Sequence, residues 1–201
     1  MPTILTEPAI LETPPVAPRR KKWTREEVDF LATTELFMGT RYELIEGELI
    51  DKMAQGRPHA NELREIVLLL EKLFDPRRIQ HEAPIDVAPQ DNPTSAPEPD
   101  VIVLTKDFAS ITGRFPSPEE IALLVEVCDS SLAFDRSTKA DLYARAAIAD
   151  YWTFDIHGRR LIVHREPREG HYRSVIAYDV NESVAPLACP DKPFAVRAAF
   201  P

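Results

Sequence analysis

The chain has 201 residues, of which 44% are hydrophobic and 28% charged, a size and composition that fit one soluble globular domain with a tail. It has no run of 18 uncharged apolar residues, which excludes a membrane span and a membrane partner. The net charge of −9 argues against unaided nucleic-acid binding, because that affinity depends on neutralising phosphates. Two cysteines are too few for a disulfide scaffold, and residues 1–11 lack the pattern of a secretory signal, so we expect a cytoplasmic protein.

The first 22 residues are predicted to form a flexible tail. Five of the 19 prolines lie in residues 1–20, and no apolar period runs through them, which is typical of a polyproline-like segment. The basic cluster Arg19–Lys22 is either the solvated end of this tail or an arm that contacts phosphates. We expect a single domain over residues 23–201.

Capping residues, apolar spacing and turn residues predict two helices and a hairpin in the first part of that domain. In chain order these are a helix capped by Thr24 and Glu27 and ended by Gly39, a hairpin of Tyr42–Ile45 and Glu48–Ile50 around Glu46-Gly47, and a helix from His59 to Phe74.

The rest of the chain is rich in predicted strands. In order we predict strands at Ile79–Val87, Val101–Leu104 and Ile121–Cys128, a turn at Ser130–Asp135, a helix at Thr138–Ala149, and strands at Tyr151–Asp155, Leu161–His164 and Tyr172–Tyr178. Successive strands mixed with a few helices favour an α+β or mixed α/β fold, with one central sheet covered by helices.

Two acidic residues stand out because each lies on a strand predicted to be buried. Glu126 is part of the apolar strand Ile121–Cys128, and Asp100 opens Val101–Leu104. A buried ionised carboxylate needs a partner or becomes protonated, so these two acids are expected near each other or near a shared cation. Mg²⁺ or Mn²⁺ suits such oxygen ligands. Alternatively, Glu126 points into solvent and Asp100 only ends a loop.

Lys139 is the third candidate, because it lies on the helix that follows Glu126 and would fold back over the carboxylates. A lysine there would position a water or balance phosphate charge. The alternative is a surface pair of Asp135 and Lys139, four residues apart on the helix. Tyr143 shares the face of Lys139, either beside the site or as a core residue.

His59 and Glu43 are weaker candidates. His59 shares the helical spacing of the apolar stripe, so it lies beside the site, packs in the core or caps the helix. Glu43 alternates with core residues in its strand and either reaches the site at the sheet edge or is solvated.

Together these residues resemble the Uma2 family of the PD-(D/E)XK restriction-endonuclease-like superfamily. The resemblance spans roughly residues 23–178, and six short segments in compatible order carry it. They are Tyr42–Leu49, Pro58-His59, Glu98–Val101, Leu124–Val127, Asp135 with Lys139 and Tyr143-Ala144, and Asp150–Trp152.

The resemblance implies a mixed sheet flanked by helices and a metal-dependent nuclease. Asp100 matches the aspartate of the superfamily's Pro-Asp element, and Glu126 matches its second acid. The usual lysine two residues later is replaced by Cys128, and Lys139 is the natural migrated substitute. His59 and Glu43 match positions that recur in the family.

The resulting hypothesis is hydrolysis of phosphodiester bonds in DNA, with Mg²⁺ or Mn²⁺ held by Asp100, Glu126 and, as a further ligand, the backbone carbonyl of Val127. Two alternatives stay open: a catalytically inactive module that binds nucleic acid or protein, and a hydrolase of small phosphate esters. A homodimer is possible because nucleases that cut both strands often pair two active sites. Trp152 and Phe154 would then lie at the interface or, alternatively, in the core.

Overall fold

The computed structural model describes residues 20–37, 40–52 and 56–200. Most of the predicted tail and the helix end predicted at Gly39 lie outside these residues. Lys21, at the end of that predicted tail, pairs with Glu27, with 2.6 Å between Nζ and Oε2. Within the described ranges, no helix is long and apolar enough to cross a membrane.

The chain begins with a short helix and a hairpin, as predicted. The helix α1 is Arg25–Ala32, and the capping box of Thr24 and Glu27 starts it. The strands β1 and β2 are Tyr42–Ile45 and Glu48–Asp51. Both residues of the turn between them have positive φ, 51° at Glu46 and 83° at Gly47, which is the geometry of a tight hairpin turn and the reason that glycine is favoured there.

A mixed sheet of six strands forms the centre of the domain, in the order β3-β4-β5-β6-β7-β8. Only β5 and β6 are parallel, and every other neighbouring pair is antiparallel. The predicted fold class is therefore confirmed. The strands are β3 Ile79–His81, β4 Val101–Leu104, β5 Ile121–Cys128, β6 Asp150–Asp155, β7 Arg160–Arg168 and β8 His171–Asp179.

Helices cover both faces of this sheet. The helix α2, Arg57–Leu73, packs Ile66 and Leu70 into an apolar cluster on one face. The second face is covered by a continuous helical segment made of α3 Leu132–Phe134, a π-helical turn at Asp135–Lys139 and α4 Ala140–Arg145. This segment is the crossover that makes β5 and β6 parallel. The two acids predicted to matter lie on the strands between these layers.

Trp152 and Phe154 are core residues. Their exposed fractions are 0% and 1%, and both belong to the cluster under α2. The alternative that they form a dimer interface is therefore wrong, because both rings are buried against other residues of the same chain.

Several predicted elements differ in extent or type. The strand predicted over Ile79–Val87 ends at His81, because Glu82 has a φ of 45° and the Ile85 N–H bonds to the Pro97 carbonyl instead of a neighbouring strand. The predicted turn Ser130–Asp135 is largely helical. The helix after it ends at Arg145 rather than Ala149, and the chain then turns through Ala147 at a φ of 58°.

The end of the chain adds elements that the apolar pattern did not reveal. A two-residue pair, β9 Ser183–Val184 with β10 Phe194–Ala195, is followed by a 3-10 helix at Val196–Ala199. Phe194 and Val196 pack against the α2 side of the sheet. These residues close the core and lie outside the candidate site.

Candidate active site

A cleft of about 240 Å³ contains every predicted site residue except Tyr143 in its lining. It lies where the hairpin, the first turn of α2, the ends of β4 and β5 and the helical crossover meet. The lining side chains that carry charge or can titrate are Glu43, Asp51, Lys52, His59, Asp100, Glu126, Asp129, Asp135 and Lys139.

Asp100 is held at the mouth of β4 by the adjacent strand. Its Oδ2 accepts a hydrogen bond of 2.7 Å from the N–H of Val127 on β5, and the Nε2 of His59 lies 3.4 Å from the same oxygen. Burial alone would raise the pKa of Asp100, but the contacts with His59 and with the Val127 N–H hold that pKa below its usual value. Asp100 is therefore a buried, ionised carboxylate.

Glu126 is buried in the middle of the same site, with 4% of its surface exposed. Its Oε1 accepts hydrogen bonds of 2.9 Å from Lys139 Nζ and 3.0 Å from the Tyr143 hydroxyl. Burial raises the pKa of Glu126 to about 8, and the nearby carboxylates of Asp135 and Asp100 add to this against the attraction of Lys139. Glu126 therefore binds a proton more readily than an ordinary glutamate does.

Lys139 lies among carboxylates, not on the helix surface. Its Nζ is 2.9 Å from Glu126 Oε1, 2.9 Å from Glu43 Oε1 and 3.8 Å from Asp135 Oδ1. Burial alone would lower the pKa of Lys139, but the negative charge around it raises that pKa well above the usual value. The π-helical turn carries both Asp135 and Lys139, and such turns recur at functional sites.

Asp135 also lines the site, although the sequence singled it out only as half of a surface pair and as part of a segment that resembles the family. It is 2% exposed, its Oδ2 accepts from the Cys128 thiol at 3.2 Å, and its backbone carbonyl accepts from the Tyr151 hydroxyl at 3.0 Å. Burial raises the pKa of Asp135. The signal available in the sequence was its place in the family's segment, four residues before Lys139.

His59 and Glu43 both face the site. Glu43 is 5% exposed and so is not a solvated strand residue; its Oε2 accepts a 3.2 Å hydrogen bond from the Glu98 N–H. His59 is 8% exposed, and its buried Nδ1 has no hydrogen-bond partner among the described atoms. Burial would lower the pKa of His59, but Asp100 raises it above the usual value. His59 therefore contacts Asp100, and Glu43 contacts Lys139.

The donor set suits a hard divalent cation. Asp100 Oδ1 and Glu126 Oε2 accept no hydrogen bond from the described residues, because the contacts above use the other oxygen of each carboxylate. Within residues 20–37, 40–52 and 56–200, no three His, Cys, Asp or Glu side chains form a group that would hold a metal by themselves. Mg²⁺ usually keeps several waters and needs only one or two protein carboxylates, and carboxylate oxygens of this kind are what Asp100 and Glu126 offer.

The model of the Uma2 family, described as "Putative restriction endonuclease", matches residues 28–193 of the chain. The chain belongs to the Uma2 family. The family description supports a nuclease-like function for it. A solved structure described as "a putative nuclease belonging to DUF820", from Anabaena variabilis ATCC 29413, superposes with a TM-score of 0.65 at 16% identity and covers 88% of this chain and 97% of that chain. At that identity the likeness shows a shared fold. No curated protein matches the chain.

Cys128 lies on β5 two residues after Glu126, at the position where the resemblance described above implies a lysine. Its side chain is fully buried, and burial beside Asp135 raises the pKa of the thiol, which keeps it neutral. Cys128 therefore cannot supply the missing positive charge. The ammonium group next to Glu126 comes instead from Lys139, on the crossover 13 residues along the chain.

Proposed function

We propose that this protein is an endonuclease that hydrolyses phosphodiester bonds of DNA with the help of Mg²⁺ or Mn²⁺. The observation that carries the proposal is the contact of Lys139 Nζ with Glu126 Oε1, at 2.9 Å, in a cleft that Asp100 also lines. Two acids from separate strands and a lysine are the groups that the family's nuclease chemistry requires.

Asp100 and Glu126 would hold the cation, with the carbonyl of Val127 as a further ligand. When bound, the cation supplies Lewis-acid activation of the phosphate and of the attacking water. The fixed hydrogen bond from the Val127 N–H keeps Asp100 ionised and oriented. Glu126 is already drawn into position by Lys139 and Tyr143, so little reorganisation is needed at this carboxylate.

Lys139 would orient the water or stabilise the negative charge that develops on the phosphate. Its ammonium group stays protonated at neutral pH because the negative charge around it, including that of Glu43 and Asp135, outweighs burial and raises its pKa, so it acts as a fixed positive charge and not as a base. Glu43 holds Lys139 from the hairpin side, and Tyr143 holds Glu126 from the helix side. Both are supporting residues.

The first turn of α2 gives further support, because Gly56 and His59 line the cleft and this turn contains no acidic residue. The amino end of a 17-residue helix carries partial positive charge that favours a nearby phosphate. This local charge offsets part of the handicap that the chain's net charge of −9 presents.

The test is cleavage of supercoiled plasmid and of single-stranded DNA by the purified full chain with Mg²⁺, Mn²⁺ or EDTA. Asp100→Asn, Glu126→Gln and Lys139→Met should each reduce cleavage at least a hundredfold, on the order of the effect of losing one electrostatic catalytic group. The matched controls Glu120→Gln and Lys106→Met alter an ion pair outside the cleft and should cut as the parent does. Cleavage that survives EDTA or all three site substitutions would refute the proposal.

A second candidate is a non-catalytic module that binds nucleic acid or protein. Cys128 at the usual lysine position favours it, because the thiol cannot replace the ammonium group. Such a module would bind DNA or its protein partner without Mg²⁺ and equally well after Asp100→Asn. A third, a hydrolase of small phosphate esters, would turn over a nucleotide or an aryl phosphate but not plasmid.

A further inference from the structure

The two edges of the central sheet differ sharply. One edge is β3, which has only three residues. The other is β8, which runs for nine residues from His171 to Asp179 and pairs with β7 along one side only. Natural proteins usually protect a long edge with lysine, proline, a short strand or a covering segment, because open N–H and C=O groups recruit another strand.

The outer side of β8 is only weakly protected, because its one mid-strand charge, Arg173, is paired with Glu169 of the same hairpin. Its sequence, HYRSVIAYD, contains neither lysine nor proline. In the described ranges, no backbone hydrogen bond from outside the sheet reaches residues 171–178. Only the end is occupied, where the Asp179 N–H bonds to the side chain of Glu182. Val175 and Ile176, which point to opposite faces of the sheet, are 46% and 49% exposed.

The strand is complementary to itself. When two copies run antiparallel around a twofold axis at Val175, each of the nine residues lies opposite a residue of the other copy, and the side chain of His171 in each copy faces that of Asp179 in the other. The backbone of Asp179 itself stays bonded to Glu182. Tyr172 then faces Tyr178, and Val175 faces its own copy. Opposite charges and aromatic pairs across strands are favourable, and a twofold interface doubles each of them. His171 already pairs with Asp141 on the surface, at 2.7 Å, but both side chains are exposed and the pair is free to rearrange.

We propose that β8 is a dimer interface, in which two copies of this chain join their six-stranded sheets edge to edge with Val175 on the twofold axis. The occupant is a second copy because the complementarity is that of the strand with itself. None of the residues that line the cleft comes from β7 or β8, so both clefts of the dimer stay open. The interface stands independently of the proposed nuclease activity.

The first test is the mass of the full chain in solution by light scattering after size-exclusion chromatography. The parent should have twice the chain mass of 22.7 kDa. Val175→Lys with Ile176→Lys should be monomeric at the same concentration, since two lysines of like charge would lie close together on each face of the joined sheet. The matched control is Leu187→Lys, which replaces an equally exposed side chain, 49%, away from the edge, and should stay dimeric. A monomeric parent, or a dimeric edge variant, would overturn the proposal.

The second test fixes the register and does not depend on disrupting the dimer. In the proposed pairing two Val175→Cys thiols lie on residues about 5 Å apart, whereas two Arg173→Cys residues lie four positions, about 14 Å, apart along the strands. A short bismaleimide should therefore cross-link the Val175→Cys protein and not the Arg173→Cys protein. Both native cysteines are buried, so the parent is the blank. Equal cross-linking of the two variants would refute the register.

Discussion

Glu126 is expected to make the metal-free protein less stable as the pH rises. Its folded-state pKa is about 8 against an ordinary value of 4.5, so the folded state binds this proton more tightly than the unfolded state does. The contribution of this group to the free energy of unfolding is therefore fully present below about pH 4.5 and is lost as the pH rises towards 8. Asp135 and His59, whose pKa values are also raised, change stability in the same direction.

The magnitude follows from the shift. Between the unfolded and folded pKa values of one group, each pH unit lowers the free energy of unfolding by about 1.4 kcal/mol. Moving from about pH 5.5 to about pH 7.5 should therefore lower it by about 3 kcal/mol. Only 4% of the surface of Glu126 is exposed, so solvent screens this carboxyl weakly. Because small domains have total stabilities of about 5–15 kcal/mol, the change is large enough to measure.

The assay is urea unfolding with EDTA at several pH values, followed by circular dichroism. Glu126→Gln should flatten most of the slope, because the glutamine has no proton to lose. Glu120→Gln is the control, since Arg114 and Lys106 lower the pKa of Glu120 and keep it ionised throughout the window; its effect should be constant with pH. An unchanged slope in Glu126→Gln would refute the assignment of the buried proton to this carboxyl.

Two further substitutions test a hydrogen bond in the site and the turn of the hairpin. Tyr143→Phe removes one of two donors to Glu126 Oε1 and should lower the free energy of unfolding by about 2 kcal/mol, measured by urea titration; a loss below about 0.5 kcal/mol would contradict the contact. Gly47→Ala should destabilise more than Gly113→Ala in thermal melts. Both glycines have positive φ, but a Cβ on Gly47 would lie 2.6 Å from Lys22 Cβ, whereas a Cβ on Gly113 meets nothing within 4 Å. Equal decreases in melting temperature would mean that the cost comes from the positive φ alone and that the contact with Lys22 adds nothing.

Most of the sheet could be predicted from the sequence because its strands are short apolar runs bounded by turn residues. Val101–Leu104 and Ile121–Cys128 have the predicted bounds. The prediction failed where apolar alternation continued without strand pairing: Ile85 and Val87 are buried, yet their backbone bonds to loops. Alternating apolar residues indicate that a segment is buried, but a buried segment need not form hydrogen bonds with a neighbouring strand.

The site was harder to predict because charged residues give the same pattern on a surface and in a core. The spacing of Asp135 and Lys139 is that of an exposed helix pair, yet their exposed fractions are 2% and 3%. The pair lies in a π-helical turn instead of a regular α-helix. The helix propensities of these five residues do not predict such a turn. The resemblance to a family supplied the positions that periodicity could not.

The acidity of the chain and the proposed substrate are reconciled by the site itself. Glu43, Asp100, Glu126 and Asp135 are all at most 5% exposed, and the positive charge among them comes from Lys139 and, when it is protonated, from His59. Four buried acids against these two cations would repel a phosphate and also favour protonation of one carboxyl, which is what the raised pKa of Glu126 expresses. A divalent cation relieves both costs at once. Under the proposed function, DNA affinity and folding stability near neutral pH should therefore rise together as Mg²⁺ is added, and a cation that strengthened one without the other would separate the metal site from the substrate site.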